Sequence, residues 1–339
     1  MKLFNKHIKL LGLVSFISVS SATLAISPIP EKTGVSGFIN LGVMGLSVET
    51  NMLAESTFSD LGKKRIDSLD KGPDSESSVS PVINFELSYT WAESQTQIFI
   101  GSQLADFLRY DLLTGAGVRQ GAGQAGIFSL EAISSLDTEV WQDPYVINVD
   151  RQDTTRTADG FRVSWGKVLG SEFVIRYSSR EVEIDNELSG SGLALTPAQR
   201  ASLNREGDIN RVDVAYAFKL NKQSQIIPRF SIIDHDRDGQ AIAHEFSQVD
   251  VSFMMSAERY RYVTNLIVGK ADYDRVNPVF SRPDDANRLG LTFTMFWPNV
   301  FGLKAWTGNA GIILMEDDHA IDFYDNKISG VSFGILHRF

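Results

Sequence analysis

Apolar and polar residues alternate with period two along much of the chain. Pro81, Ile83, Phe85, Leu87, Tyr89 and Trp91 interleave with Ser80, Val82, Asn84, Glu86, Ser88 and Thr90. The same alternation runs through 212–218, 249–255 and 289–297, and more briefly through 161–165 and 173–177. Such a period marks a strand with one face in an apolar medium. It blurs near 36–49, 95–106, 121–133 and 302–315, where Gly42, Gly45, Gly121, Gly123 and Gly126 suggest bulges or tight packing.

The connections alternate in length. Short links fall near 92–94, 134–137, 168–171, 221–223, 257–259 and 299–301. Long polar ones fall near 50–78, 107–119, 148–158, 185–207, 234–240, 274–286 and 316–325. Short turns at one end and long loops at the other are the habit of an outer-membrane β-barrel. Six short turns and seven long loops predict an all-β, transmembrane antiparallel barrel of about fourteen strands, within a range of twelve to sixteen. The last run, Val331, Phe333, Ile335, His337 and Phe339, ends on phenylalanine, and resembles the C-terminal signal read by the barrel-insertion machinery. Strands also tend to end on aromatics (Trp91, Trp165, Tyr260, Trp297), as interfacial girdles require. A soluble sandwich alternates too, but has no reason to combine these features.

Residues 1–25 read as a signal peptide: Lys2, Lys6 and Lys9, then an apolar run from Leu10 to Ile17, then small residues to Ala25. The apolar run is short for a membrane anchor. Residues 26–339 then form the barrel, with too few residues before Gly37 for a plug domain. The location implied is the outer membrane of a Gram-negative cell. The 339 residues carry 32 basic and 42 acidic side chains and no cysteine. Without the three signal lysines the 32 fall to 29, a net of −13. That balance argues against nucleic acid as a partner, and the missing thiols exclude a disulfide framework and a cysteine nucleophile.

Four segments carry a family resemblance: IDSLDKGPDSESSVSPVINFELSYTW (66–91), TEVWQDPYV (138–146), LSGSGLALTPAQRASLNR (188–205) and AIDFYDNK (320–327). With the closing strand, the chain resembles a family of gammaproteobacterial outer-membrane barrels defined only as a domain of unknown function. The resemblance implies the outer membrane and brings no activity or catalytic residue.

Three local patterns hold candidate chemistry. Asp234, Asp236, Asp238, Gly239 and Glu245 fit D-x-D-x-D-G-x5-E, the spacing of a Ca²⁺ loop, although strands rather than helices flank it. An acidic hairpin loop is the plainer reading. Thr196-Pro197-Ala198-Gln199 is a capping box that starts a short helix to about Arg205, either a lid or an ordered surface loop. His235, His244 and His319 lie near acidic residues at the outer rim, as an Asp/His pair activating water would. No nucleophile motif accompanies them, so the expected protein is not an enzyme. His337 is expected to face lipid.

If the apolar partners face lipid, the lumen receives Arg162, Arg176, Arg180, Arg211, Arg229, Arg261 and Arg288 against Glu86, Asp213 and Asp250. A basic lumen in an acidic chain predicts a porin-like channel for small polar, anionic solutes. The rival is a salt-bridged plug, in a barrel that serves structure or surface contact. The acidic loops would meet lipopolysaccharide, with divalent cations bridging like charges.

Overall fold

The structure, a computed structural model, describes residues 28–56, 59–103 and 113–339. The signal segment lies outside these residues. Fourteen strands make the wall: β1 (Gly34–Glu49), β2 (Ser75–Trp91), β3 (Thr96–Gln103), β4 (Leu113–Gly121), β5 (Ile127–Ser135), β6 (Asp153–Gly166), β7 (Phe173–Ile184), β8 (Gly207–Tyr216), β9 (Ser224–Arg237), β10 (His244–Ala257), β11 (Tyr260–Asp272), β12 (Ala286–Pro298), β13 (Trp306–His319) and β14 (Asn326–Arg338). Each pairs antiparallel with its neighbour in sequence, and β14 returns to β1 from Phe38↔Arg338 to Glu49↔Lys327. Closure joins the last strand to the first, the arrangement in which strands cross a bilayer.

The seam is fastened at its lower end by reciprocal backbone bonds. Gly37 N donates to Phe339 O at 3.0 Å, and Phe339 N to Gly37 O at 3.1 Å. A Cβ on Gly37 would lie 2.1 Å from the carbonyl oxygen of Glu86, so glycine admits the close approach of β2 there.

Side-chain direction follows the predicted register. Leu87, Val214, Phe253, Leu291 and Phe293 are exposed on the outer face, while Asn84, Arg211 and Asp213 are buried inside. Thr292 also turns inward, where its hydroxyl accepts from Asn265 at 2.6 Å. At the short-turn end the outer face carries aromatic pairs: Tyr89 with Trp91, Phe128 with Trp165, and Tyr216 between Phe173 and Phe218. His337 joins this belt beside Trp306. Toward the long-loop end the outward residues become charged: Glu181 and Glu183, Asp234 and Asp236, Glu316 and Asp318. Most strands have 12 to 17 residues, more than the roughly 9–11 that span a bilayer. The wall therefore continues past the lipid as a collar.

One strand is displaced from its expected place. β4 occupies 113–121, largely overlapping the long loop expected at 107–119, and the short turn falls at 122–126 rather than at 134–137. The chain after β5 is instead the beginning of a long loop, in which Thr138–Trp141 pairs with Leu53–Ser56. The inward residues of β4 are Leu113, Gly115, Gly117 and Arg119. The glycines leave room for the Glu131 carboxylate, since a Cβ on Gly115 would lie 2.0 Å from its Oε1. An inward face with glycine at its two central positions shows no clear apolar–polar alternation.

Above the wall the loops gather into a dome with its own core. Ile66, Tyr145, Leu203, Ala241, Ile321, Phe323 and Tyr324 are buried together, with Met52, Leu193, Ile242 and Phe280 around them. Polar groups tie the loops to one another. Tyr145 and Tyr324 hydroxyls meet at 2.5 Å, and Asn277 donates to Tyr324 at 2.7 Å. Asp143 accepts from the backbone of Tyr145, Gly190 and Gly192 and from the Ser191 hydroxyl. The Arg151 guanidinium donates to the carbonyls of Asn51 and Pro144 and lies over Trp141. The capping box forms as expected, Gln199 N donating to Thr196 Oγ1 and Thr196 N to Gln199 Oε1. Its helix is shorter than expected, Pro197–Ala201, because the chain then turns to plant Leu203 in the dome core.

Candidate functional site

Period two sends the polar partner of every lipid-facing residue into the lumen, where charges sit in layers. Toward the short-turn end, Arg119 donates to both oxygens of Glu86 at 3.0 and 2.8 Å and to Gln97 at 2.9 Å. Its guanidinium also lies over Phe99. Across the middle, Arg211 Nε donates to Asp213 at 2.7 Å, and the Ser231 hydroxyl to the same oxygen at 2.6 Å. Asp250 accepts from Arg229 at 2.7 Å and from Gln248 at 2.9 Å. Glu131 stands 3.6 Å from Arg162, with both side chains almost wholly buried. Nearer the loops, Asp317 holds Arg288 through two bonds of 2.5 and 2.7 Å. Fork-to-carboxylate pairs of this kind fix geometry as well as charge. Losing one partner of a buried pair costs about 3–5 kcal/mol, because the other stays desolvated.

All seven predicted arginines belong to this interior. Arg162, Arg211, Arg229 and Arg288 stand in the pairs just described. Arg176 lies in register with Asp213, Arg180 lines the upper lumen, and Arg261 faces inward near the short-turn end. Glu86, Asp213 and Asp250 are inside as predicted. Further inward charges are Arg119, Arg156, Arg237, Arg338, Glu131 and Asp317. Asp317 was legible as the next inward position after Ile313 and Met315 on β13, had the strand been carried two residues beyond the lipid. Arg119 and Glu131 were hidden by the glycines of β4.

Beneath the dome lies a cavity of about 200 Å³. Arg156, Arg180, Arg211 and Arg237 come to it from β6 to β9, and Arg288, Asp317, His319 and Asn326 from β12 to β14. Ile209, Ile233, Phe246, Ala271 and Ala286, carried on β8 to β12, pack on one another and line it as well. His235, His244 and Tyr273 form a stack with ring centroids 4.2 and 4.3 Å apart. Arg237 donates to His235 Nδ1 at 3.3 Å. His244 donates from Nδ1 to the Ile242 carbonyl at 2.9 Å, which leaves Nε2 as its acceptor. At the boundary with the dome, Asp284 accepts from His319 Nδ1 at 2.9 Å and from Ile321 N at 3.1 Å. Burial raises the pKa of Asp284, and His319 offsets part of that rise.

The Ca²⁺ spacing resolves into something else. Asp234 and Asp236 lie on β9 with exposed, outward side chains, and Asp234 is the register partner of Glu245. Asp238 is exposed in the turn that follows. The alternate residues, His235 and Arg237, are the ones that face the cavity. Gly239 has a separate reason: a Cβ there would lie 2.4 Å from Asn204 N, where the turn packs on the 185–206 loop. Among the described residues no three His, Asp or Glu side chains converge as metal ligands. Carboxylates at alternate strand positions share a face but are stretched apart, whereas a Ca²⁺ loop must curl them around one point.

The residues from Gly34 in β1 to Arg338 in β14 are also those matched by one family model, described as a protein of unknown function (DUF2860), over 34–338. The chain belongs to this family. No curated protein matches it in sequence. Among solved structures it is similar to the outer-membrane channel DcaP of Acinetobacter baumannii, at 11% identity and a TM-score of 0.44 over 91% of this chain and 97% of that one. A FadL homologue of Pseudomonas aeruginosa matches at 7% and 0.46, over 92% of each chain. The TodX monoaromatic hydrocarbon channel matches at 10% and 0.46, over 94% of this chain and 92% of that one. The architecture of the family member described here rests on its own strand pairing and register.

Proposed function

We propose that this family member resides in the outer membrane of a Gram-negative cell and passes small polar solutes, anions in preference to cations. The observation that carries the reading is the charge of the inner wall. Five carboxylates, Glu86, Glu131, Asp213, Asp250 and Asp317, each stand beside an arginine. With Arg156, Arg176, Arg180, Arg237, Arg261 and Arg338, the arginines that face this lumen outnumber those carboxylates. Arginine keeps its charge at any physiological pH. A surplus of it between low-dielectric walls focuses positive potential, which enriches anions and excludes cations. The acidic outer rim is exposed and screened within about 8–10 Å, so selectivity belongs to the wall.

The second reading is a closed barrel, favoured by the ion pairs across the middle and by the dome above them. Reversal potential in planar bilayers across a KCl gradient separates the two. Passage predicts a chloride-directed potential that moves toward potassium in Arg180→Glu with Arg261→Glu. Absence of conductance would support the closed barrel, and a potassium preference in the parent would refute the basic-wall reading.

A further inference from the structure

Across the middle of the lumen three arginines stand beside carboxylates and a fourth is bound to none. Arg162 stands beside Glu131, Arg211 is bound to Asp213, and Arg229 to Asp250. Arg176 lies among these pairs, and the charges acting on it are Arg162, Asp213, Glu131 and Arg229. Among the described residues its guanidinium makes neither a hydrogen bond nor an ion pair, and its Nε is enclosed without a partner. Asp213, its register neighbour, is already held through Oδ1 by Arg211 and by the Ser231 hydroxyl. A guanidinium drawn out of bulk water has five donors to satisfy, and an uncompensated charge is costly to bury.

The inward row that holds Arg176 has room for a counter-charge on the side away from Asp213. There the row continues through Ser164 on β6 to Ser129 on β5, each in direct register with the next. Both serines are buried on the inner face. Cross-strand neighbours stand about 5 Å apart at Cβ, so the long arginine side chain and the two hydroxyls come within reach of one point. All three supply donors, and none brings negative charge. The next inward row toward the loops holds Arg162 and Glu131, and the next toward the short turns holds Gly166 and Val174. Successive inward positions on a strand are about 6.8 Å apart, a spacing that suits a single ion better than an organic molecule.

We infer that Arg176, with Ser164 and Ser129, binds a small monovalent inorganic anion in mid-lumen, at the step where the passage selects anions. The inference rests on the anion passage proposed above for the ion's movement, whereas the site itself stands on the unpaired guanidinium. The paired arginines fix the shape of the wall, and Arg176 is the one of these four whose donors are left to a mobile ion.

The test uses the full mature barrel, with bromide as the probe because it substitutes for chloride and is located by anomalous scattering. Crystals of the parent should show a bromide against the Arg176 guanidinium, and crystals of Arg176→Gln should lack it. In planar bilayers the parent conductance should saturate as KCl rises, as it does when an ion pauses at a site. Arg176→Gln should lower the chloride-to-potassium permeability ratio about threefold or more, and raise the half-saturating chloride concentration about tenfold or more. Ser164→Ala should raise that concentration about threefold. Ser164→Asp supplies a fixed carboxylate beside Arg176 and should expel the bromide. It replaces Arg176→Gln if that variant does not migrate as a folded band before boiling. A parent without bromide at Arg176, or bromide retained in Ser164→Asp, would overturn the site. Chloride selectivity and saturation unchanged in Arg176→Gln remove the site and leave the passage. Bromide at Arg176 in a barrel that conducts nothing supports the site and removes the passage.

Discussion

The wall and the dome are built from one chain by opposite placement of its apolar residues. In the wall, Leu87, Phe253, Leu291 and Phe293 point outward and charges are packed inside. In the dome, Tyr145, Leu203, Ile321 and Phe323 point inward and the surface is acidic and exposed. The solvent differs, and the rule is the same in both. Where lipid surrounds the protein, apolar side chains gain nothing by hiding from it, and the backbone must satisfy itself through the closed ladder. Where water surrounds it, apolar burial is again the main stabilising force. The two regions meet at the cavity beneath the dome, whose lining for that reason has both apolar side chains and arginines.

Breaking the dome should leave the wall standing. Phe323→Ala removes a fully buried ring from the loop core, a change that costs about 3–5 kcal/mol. Limited proteolysis should then cut the 185–206 and 273–285 loops, while the barrel still migrates as a folded species without boiling. Loss of the folded band would show that dome and wall fold as one unit.

Breaking the wall depends on which face is struck. Leu291 faces lipid and Thr292 faces the lumen. An arginine at mid-membrane on the lipid face costs about 2–4 kcal/mol, so Leu291→Arg should impair assembly into liposomes far more than Thr292→Arg. Equal yields would mean that this strand is out of register by one residue.

Smaller changes sharpen the boundary. Thr196→Ala removes the helix cap, worth about 1 kcal/mol. It should raise amide exchange at 197–203 without affecting exchange in the wall strands. The smallest effect is a titration. Burial raises the folded-state pKa of Asp284 above its ordinary value, so the folded protein holds a proton there that the opened dome releases. Its contribution is complete below the ordinary carboxylate pKa and is lost as pH rises through the raised one. Exchange around Ile321 should therefore be slower at the acid end of that window, with the difference abolished in Asp284→Asn. An unchanged pH dependence in that variant would assign the titration to another group.

Fold and site were legible to different degrees. Strand number, lipid-facing register and the inward arginines could be read because the bilayer imposes period two on each strand independently of its neighbours. The seven arginines were found from alternation alone. β4 escaped because Gly115 and Gly117 surrender their space to Glu131, a residue of the next strand. In the D-x-D-x-D-G run, residue types and spacing do not show whether the segment is extended or curled around a cation; pairing of Asp236 with Asp208 on β8 decides that it is extended. The helix cap at Thr196 was legible because it is a contact over three residues.

By itself the sequence determined what each residue can learn from its immediate neighbours: the alternation that selects an antiparallel transmembrane barrel, the face on which the charges of the regularly alternating strands sit, the capping box, the closing aromatic. Only the tertiary structure decided which arginine meets which carboxylate, that six loops share a hydrophobic core, and that His235, His244 and Tyr273 stack beside the arginines of the upper lumen. Most of these are contacts between residues tens to hundreds of positions apart, such as Asn51 with Phe323. A periodic pattern places a side chain on a face, whereas its partner across the lumen is set by closure, register and the room that neighbouring glycines leave.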